Sequence, residues 1–525
     1  MSARLRSVAG RIESVSGWRC ALTAFAAGAG AALAQAPFYL SPLIVVGFSV
    51  LLLLIDGARA SRRALRRGFF AGWFFGFGYF LVSLYWVGFA FLVQAEQFAW
   101  MAPFAVCGLP AFLAIFTALA CALCARFGGG GTKRAFAFAT LYMIAEYARG
   151  HILTGLPWNL PGQALAGTAA GAQTAAWWGV YGLSFLVVLL AVAPAAMKNE
   201  DDAGIAKGAL FTLAASAMIF AIGGVRLALA PRADHDGVYI RIVQPNIPQR
   251  EKIDADLWRR NYDLQIELSA APAAAGGAGF ILWPENAVPV IDEAPEGLKA
   301  VSQRLPKNAT LIAGAVRRET DEDGETRYFN SVSVIAETPT GRAAIAHYDK
   351  HHLVPFGEYL PLFGLLKALG LSELTPYGDD GFTGGDGPKT IRVGGAAFSP
   401  LICYESIFPG RVYPPGDRPE WIATVTNDSW FGDTAGPRQH FDQARLRSIE
   451  TGLPMARAAN SGVSGLIDGA GRVIDRIGLN STGVIDAALP EALPTPLYAR
   501  VGDLLFFLML IAGAFAGFFA GRRGG

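Results

Sequence analysis

Leu401-Ile402-Cys403-Tyr404-Glu405-Ser406 closes a short apolar run over residues 397–402, and its thiol stands where that run stops. An apolar run of this length predicts a buried strand. Similar runs, many bounded by Gly, Pro or Asn, predict strands over 238–244, 280–283, 310–316, 331–335, 343–348, 421–426, 455–459 and 463–467. Between the first two of these, Leu257, Leu264 and Leu268 recur at helical spacing and predict an amphipathic helix over 255–271. A second helix is expected over 439–451, ended by Gly452 and Pro454. Strands alternating with helices predict an α/β sandwich over residues 231–500.

Outside that segment the chain changes character. Over 525 residues, 53% apolar content with only 16% charged residues indicates an integral membrane protein, and a net charge of +2 gives no basic excess suited to nucleic acid. Eight apolar stretches, each about long enough to cross a bilayer core, lie near 19–36, 37–55, 69–93, 102–126, 134–149, 177–197, 207–229 and 503–520. The expected organisation is a seven-helix bundle over 1–230, a catalytic domain over 231–500 and a last membrane helix over 501–525. Arg4, Arg6 and Arg11, then Arg59, Arg62, Arg63, Arg66 and Arg67, then Lys133 and Arg134, then Arg522 and Arg523 all fall on one side if the N-terminus is inside. Both termini are then cytoplasmic and residues 231–500 lie outside the cytoplasm. A competing reading makes residues 1–36 a cleaved signal peptide ending at Ala34-Gln35-Ala36. That would leave seven spans and break the agreement among the charge clusters.

Cys20, Cys107, Cys121 and Cys124 lie in apolar stretches, where cysteine behaves as a small hydrophobe, so Cys403 has no disulfide partner in its own segment. An unpaired cysteine in an oxidising compartment is unusual for a structural residue. Glu285, Lys350 and Cys403 each stand at or just beyond a predicted strand end, where loops present functional groups from a rigid sheet. Together they suit acyl transfer: a thiol needs a base, a carboxylate in a partly apolar pocket can serve as one, and an ammonium stabilises the oxyanion. Taken singly, each has a structural reading as a packing cysteine, a rim carboxylate and a solvated lysine. His347, His351 and His352 flank Lys350 without a ligand-spaced Cys or carboxylate set, so no metal site is expected. Glu146 and Arg149, near the outer end of the fifth span, read either as functional intramembrane charges or as an ion pair about one turn apart.

The sequences around the three residues resemble the nitrilase superfamily. Ile281-Leu282-Trp283-Pro284-Glu285-Asn286-Ala287, Tyr348-Asp349-Lys350-His351-His352-Leu353-Val354-Pro355-Phe356-Gly357-Glu358 and Leu401-Ile402-Cys403-Tyr404-Glu405-Ser406 are similar to its three signatures, in order. With its apolar ends, the whole chain resembles the membrane-embedded branch, the apolipoprotein N-acyltransferase family. The segment from Glu146 to Trp158-Asn159 is similar to that family as well. The resemblance implies a four-layer αββα fold and a Glu285, Lys350 and Cys403 triad at the periplasmic face of a bacterial inner membrane. It implies a ping-pong reaction in which Cys403 takes an acyl chain from a phospholipid as a thioester. The N-terminal α-amine of an S-diacylglyceryl-cysteine apolipoprotein then attacks that thioester. Glu285 would accept the thiol proton, and Lys350 with the Tyr404 backbone N–H would hold the oxyanion, with Glu358 oriented toward the same site. Asn330, in Tyr328-Phe329-Asn330-Ser331, matches a family asparagine near the site or else starts a strand as a turn residue; Glu405, Trp430 and Phe431 are expected to line the pocket. No metal, nucleotide or other cofactor is implied, since the thioester stores the transfer potential. One departure stands out: where some relatives carry a functional tryptophan after Gln244-Pro245-Asn246-Ile247-Pro248-Gln249, this chain has Glu251-Lys252-Ile253-Asp254.

Both implied substrates carry long acyl chains, and exposing one to water costs about 0.8 kcal/mol per methylene. A site against the bilayer avoids that cost. Residues 356–371, with Phe356, Leu360 and Phe363, are apolar enough to form a membrane-dipping lid, a buried helix being the alternative. Two other functions compete. A membrane-tethered amidase hydrolysing a small amide would use the same triad but would need only a tether, whereas a transporter with an external binding domain predicts paired broken helices and midplane charges.

Overall fold

The computed structural model describes residues 2–272, 279–288, 301, 303–320, 322, 324–361 and 381–519. The chain divides into two compact units, one of residues 1–230, 434–446 and 495–525, the other of residues 231–433 and 447–494.

The first unit is helical. Among the described residues, five helices are long and apolar enough to cross a membrane: Pro42–Arg59, Ala64–Leu92, Ala95–Phe127, Ala175–Asn199 and Gly204–Leu229. The expected stretches near 19–36, 134–149 and 503–520 form shorter helices, Trp18–Ala32, Lys133–Arg149 and Leu504–Phe518. Helices in an apolar medium pack through small residues. Gly28 shows why, because a β-carbon there would run into the Phe75 carbonyl. Glu146 and Arg149 form a buried ion pair at 2.6 Å, which settles them as partners of each other. A second polar knot centres on Gln439, whose Oε1 accepts from Trp158 Nε1 (2.8 Å), Trp86 Nε1 (3.2 Å) and Asn159 Nδ2 (3.3 Å).

The second unit holds two six-stranded sheets. In chain order the strands are β1 (Asp234–Gln244), β2 (Phe280–Val288), β3 (Thr310–Thr320), β4 (Thr326–Thr338), β5 (Gly341–Asp349), β6 (Ile391–Val393), β7 (Ala396–Ile402), β8 (Trp421–Thr426), β9 (Met455–Ala459), β10 (Ser464–Ile467), β11 (Val473–Ile477) and β12 (Gly483–Pro490). One sheet runs β12-β1-β2-β3-β4-β5 and the other β11-β10-β9-β8-β7-β6. Each has a parallel centre, β1-β2-β3 and β7-β8-β9, with antiparallel flanks. Parallel strands are buried on both faces, which is why the central ones read as unbroken apolar runs.

In β2, Phe280 and Leu282 point into a core shared with Phe398, Ile402, Trp421 and Val425 of the other sheet. Ile281 and Trp283 point the opposite way, into a cluster with Tyr262 and Ile266 of helix Trp258–Ala270. That helix differs from the expected one in the face it buries. Asn261, Tyr262, Gln265, Ile266 and Ser269 are buried, while Leu257, Leu264 and Leu268 sit at the margin. The polar members are accommodated because they bond inward: Trp283 Nε1 donates to Ser269 Oγ (2.7 Å) and Gln265 Nε2 to the Ala287 carbonyl (3.0 Å).

Candidate active site

Glu285 lies in an irregular stretch of β2. Pairing with β3 is regular to Trp283 opposite Ala313 and resumes only at Val288 opposite Ala315, so residues 284–287 bulge out of register. Bulges re-aim side chains beside functional sites. Gly314 permits this one, because a β-carbon there would overlap the Pro284 carbonyl and the Glu285 backbone. Lys350 follows the end of β5 and is pinned at both backbone atoms: its N–H donates to the Asn330 carbonyl (2.8 Å) and its carbonyl accepts from Gly385 N–H (2.9 Å). Cys403 follows β7 and opens a tight 3-10 turn, Cys403–Ile407, with φ at 49°. A non-glycine residue in this left-handed region carries about 1–3 kcal/mol of strain, which the surrounding bonds must hold. Ser406 Oγ donates to the Cys403 carbonyl (2.9 Å), and Ile402 N–H to Glu405 Oε2 (2.8 Å).

The charged groups converge. Lys350 Nζ is 2.8 Å from Glu358 Oε1 and 3.5 Å from Glu285 Oε1, with all three side chains largely buried. Asn330 Nδ2 bridges the two carboxylates, at 2.7 Å from Glu285 Oε1 and 2.7 Å from Glu358 Oε1. The remaining oxygens are held by backbone: Asn427 N–H donates to Glu285 Oε2 (2.9 Å) and Val354 N–H to Glu358 Oε2 (2.7 Å). Burial works against the Lys350 charge, but Glu358 and then Glu285 outweigh it and hold the ammonium above its ordinary value. Burial, and next the Glu285 charge, push the Cys403 thiol up, and Lys350 pulls it down by less. Cys403 therefore rests as a thiol. A nucleophilic thiol in this state would lose its proton as a bond to sulfur forms, which calls for a base beside it.

Residues 27–193 match the apolipoprotein N-acyltransferase N-terminal domain and residues 240–495 the carbon-nitrogen hydrolase family. The apolipoprotein N-acyltransferase of Brucella melitensis is 42% identical over 530 residues, covering 98% of each chain. That of Rhodopseudomonas palustris is 39% identical over 513 residues, covering 95% of each. The chain belongs to the apolipoprotein N-acyltransferase family. Among solved structures, the amidase from Nesterenkonia sp. AN1 aligns with 53% of this chain and 98% of its own, at 18% identity and a TM-score of 0.35.

The other residues singled out from the apolipoprotein N-acyltransferase resemblance separate into groups. Glu405 is buried and bonded on both sides of the turn. Its Oε1 accepts from Tyr348 Oη (2.8 Å), His351 N–H (2.9 Å) and His352 N–H (3.3 Å) and lies 2.7 Å from His351 Nδ1. It thus ties the loop of Lys350 to the turn of Cys403. Tyr404 is buried, with its ring against His352 and Phe408. Trp430 and Phe356 are exposed, Phe431 is half-buried and Leu360 is buried. Phe363, and the expected lid beyond residue 361, lie outside the described residues.

Burial works to raise the Glu405 carboxyl, but the His351 contact, the Ile402 N–H and Lys350 outweigh it and hold it below the usual range. A depressed carboxylate contributes stability that is present above its unfolded value and is lost as pH falls through its folded value. Glu405→Gln is therefore expected to cost about 2 kcal/mol at pH 7. Thermal melts of the two forms should converge as the solution is acidified below the ordinary carboxylate range. A constant gap across that range would remove the charge from the account.

One residue at the site escaped the sequence reading. Lys252, at the end of the short helix Gln249–Lys252, donates from Nζ to the Glu285 backbone carbonyl at 2.5 Å. Burial lowers its amine to about 8, with Glu285 and then Cys403 acting in the opposite direction. A lysine between Glu251 and Ile253 in a polar stretch reads as solvated, and only the fold brings it under the bulge of β2.

Proposed function

We propose that this protein transfers an acyl chain from a phospholipid to the N-terminal α-amine of S-diacylglyceryl-cysteine apolipoproteins, the last acylation of lipoprotein maturation. The observation that carries the reading is the Lys350 ammonium shared by Glu285 and Glu358 beside a buried thiol. In the first half-reaction Glu285 takes the Cys403 proton as sulfur adds to the ester carbonyl. Lys350 and the Tyr404 N–H balance the oxyanion. The C–O bond to glycerol then breaks, Glu285 protonates the leaving oxygen, and a lysophospholipid departs. In the second, the acceptor amine adds to the thioester and Cys403 leaves with a proton returned through Glu285. Asn330 and Glu358 keep Glu285 and Lys350 in register, and Glu405 positions the two loops. Trp430, Phe431, Phe356, Leu360 and Phe363 are assigned to the acyl-chain side of the pocket.

The proposed placement is a multi-pass protein of the bacterial inner membrane. It has seven spans in residues 1–230, a periplasmic nitrilase-like αββα catalytic domain in residues 231–500 and an eighth span in residues 501–525. Both termini are cytoplasmic. The one-sided distribution of the arginine and lysine clusters and the apolar helices support it.

Intact-mass analysis after incubation with phospholipid tests the chemistry. The expected result is a single hydroxylamine-labile acyl adduct on Cys403, discharged by a diacylglyceryl lipopeptide with a free amine. An adduct on any other residue would overturn the mechanism.

A further inference from the structure

Proton accounting leaves a vacancy in this reaction that Glu285 cannot fill. The acceptor enters as an α-ammonium with three N–H bonds and leaves as a secondary amide with one. One of the two released protons returns to the Cys403 sulfur through Glu285. The other needs a second acceptor. Lys350 is unsuited, because Glu358 and Glu285 hold it charged. Lys252 is a second amine beside Glu285: its Nζ bonds the Glu285 backbone carbonyl, and its charge interacts with Glu285 and Cys403. That carbonyl bond uses one N–H, which the neutral amine also possesses, so the lone pair of the amine form is left for a proton from elsewhere. Lys252 as a whole residue is half-buried.

Other charges of its own helix and of the site are already committed. Glu251 pairs with Arg260, Asp428 with Arg457, and Glu358 with Lys350.

We propose that Lys252 is the second base of the transfer step, its neutral amine accepting the extra proton of the acceptor's α-ammonium and releasing it to water while Glu285 exchanges the other with Cys403. The bond formed is N–C(acyl), the bond broken is S–C(acyl), and one proton is released per turnover. Burial lowers the amine to about 8, so its neutral form is within reach at neutral pH. An ordinary lysine would stay protonated there. The assignment rests on the acyl-transfer reading above.

The test follows the two half-reactions separately in the full-length protein, with a phospholipid donor and a synthetic diacylglyceryl lipopeptide. Lys252→Arg keeps the charge and removes the base, whereas Lys252→Met removes both. Lys252→Arg is expected to form the Cys403 adduct within a few-fold of the wild-type rate, which also reports that the site is folded. Discharge to the lipopeptide at pH 7 should fall by up to about 10-fold in both variants, the limit set by the fraction of acceptor amine already neutral at that pH. The deficit should close as pH rises past about 8, where the acceptor's own amine arrives deprotonated. Wild-type discharge by Lys252→Arg at pH 7, a deficit equal at every pH, or equal loss of both half-reactions would each overturn the proposal. Absence of an adduct on the wild-type protein would instead overturn the thioester reading beneath it.

Discussion

Cys403→Ser is expected to reduce N-acyl transfer by at least about 10³-fold, in line with removal of a nucleophile from a catalytic unit. The reason is acid strength. The buried thiol is already pushed up, and Glu285 removes its proton only because sulfur carries charge well as the bond forms. A serine hydroxyl is a far weaker acid at the same place, so the carboxylate base falls short. The fold should tolerate the change. The turn at φ 49° is held by Glu405 and Ser406, and neither contact uses the thiol. A single-turnover assay of lysophospholipid release checks the prediction, with mass analysis for an adduct on the variant. Full activity in Cys403→Ser would exclude a thioester, and with it both acyltransferase and amidase chemistry at this site.

The parts of the molecule legible in the sequence were those where burial on two sides leaves a continuous signature. β8 and β9 fall where their apolar runs predict, and β7 differs by one residue. β6, β11 and β12 were missed, and each lies at the edge of its sheet. An edge strand has an unpaired side and fewer buried neighbours, so it carries residues such as Asp475 and Arg476 in β11 and reads as loop. Helix Trp258–Ala270 was found, but leucine spacing pointed to the wrong face, because Asn261, Gln265 and Ser269 satisfy their polar groups inside. At the candidate site, ordered motifs point to Glu285, Lys350, Cys403 and Glu358, which the structure brings together. The bridging geometry of Asn330 and the backward-facing clamp of Glu405 required three dimensions. Lys252 was hidden for a further reason: its environment is made by a backbone carbonyl, and no side-chain pattern encodes that.

Arg457→Met is expected to destabilise the second unit by about 3–5 kcal/mol, the usual cost of stripping one partner from a buried ion pair. Arg457 on β9 and Asp428, in the turn after β8, have no solvent-exposed side-chain surface and meet at 2.9 Å. Asp428 also accepts from Thr426 Oγ1 (2.9 Å), at the end of the strand beside the one that presents Cys403. Without the guanidinium, the carboxylate must stay charged in a dry site, take up a proton or drag its turn toward water. The melting temperature and hydrogen exchange in β9 read this loss. Reactivity reads it independently, because the Asp428 charge is one of those pushing the Cys403 thiol up. Alkylation of Cys403 at fixed pH should slow in Arg457→Met as that charge loses its counter-ion. In Arg457→Met/Asp428→Leu neither charge remains, so stability should largely return and alkylation should run faster than in the single variant. A double variant as unstable as the single would mean that packing of the arginine stem, and not its charge, holds the floor beneath Cys403.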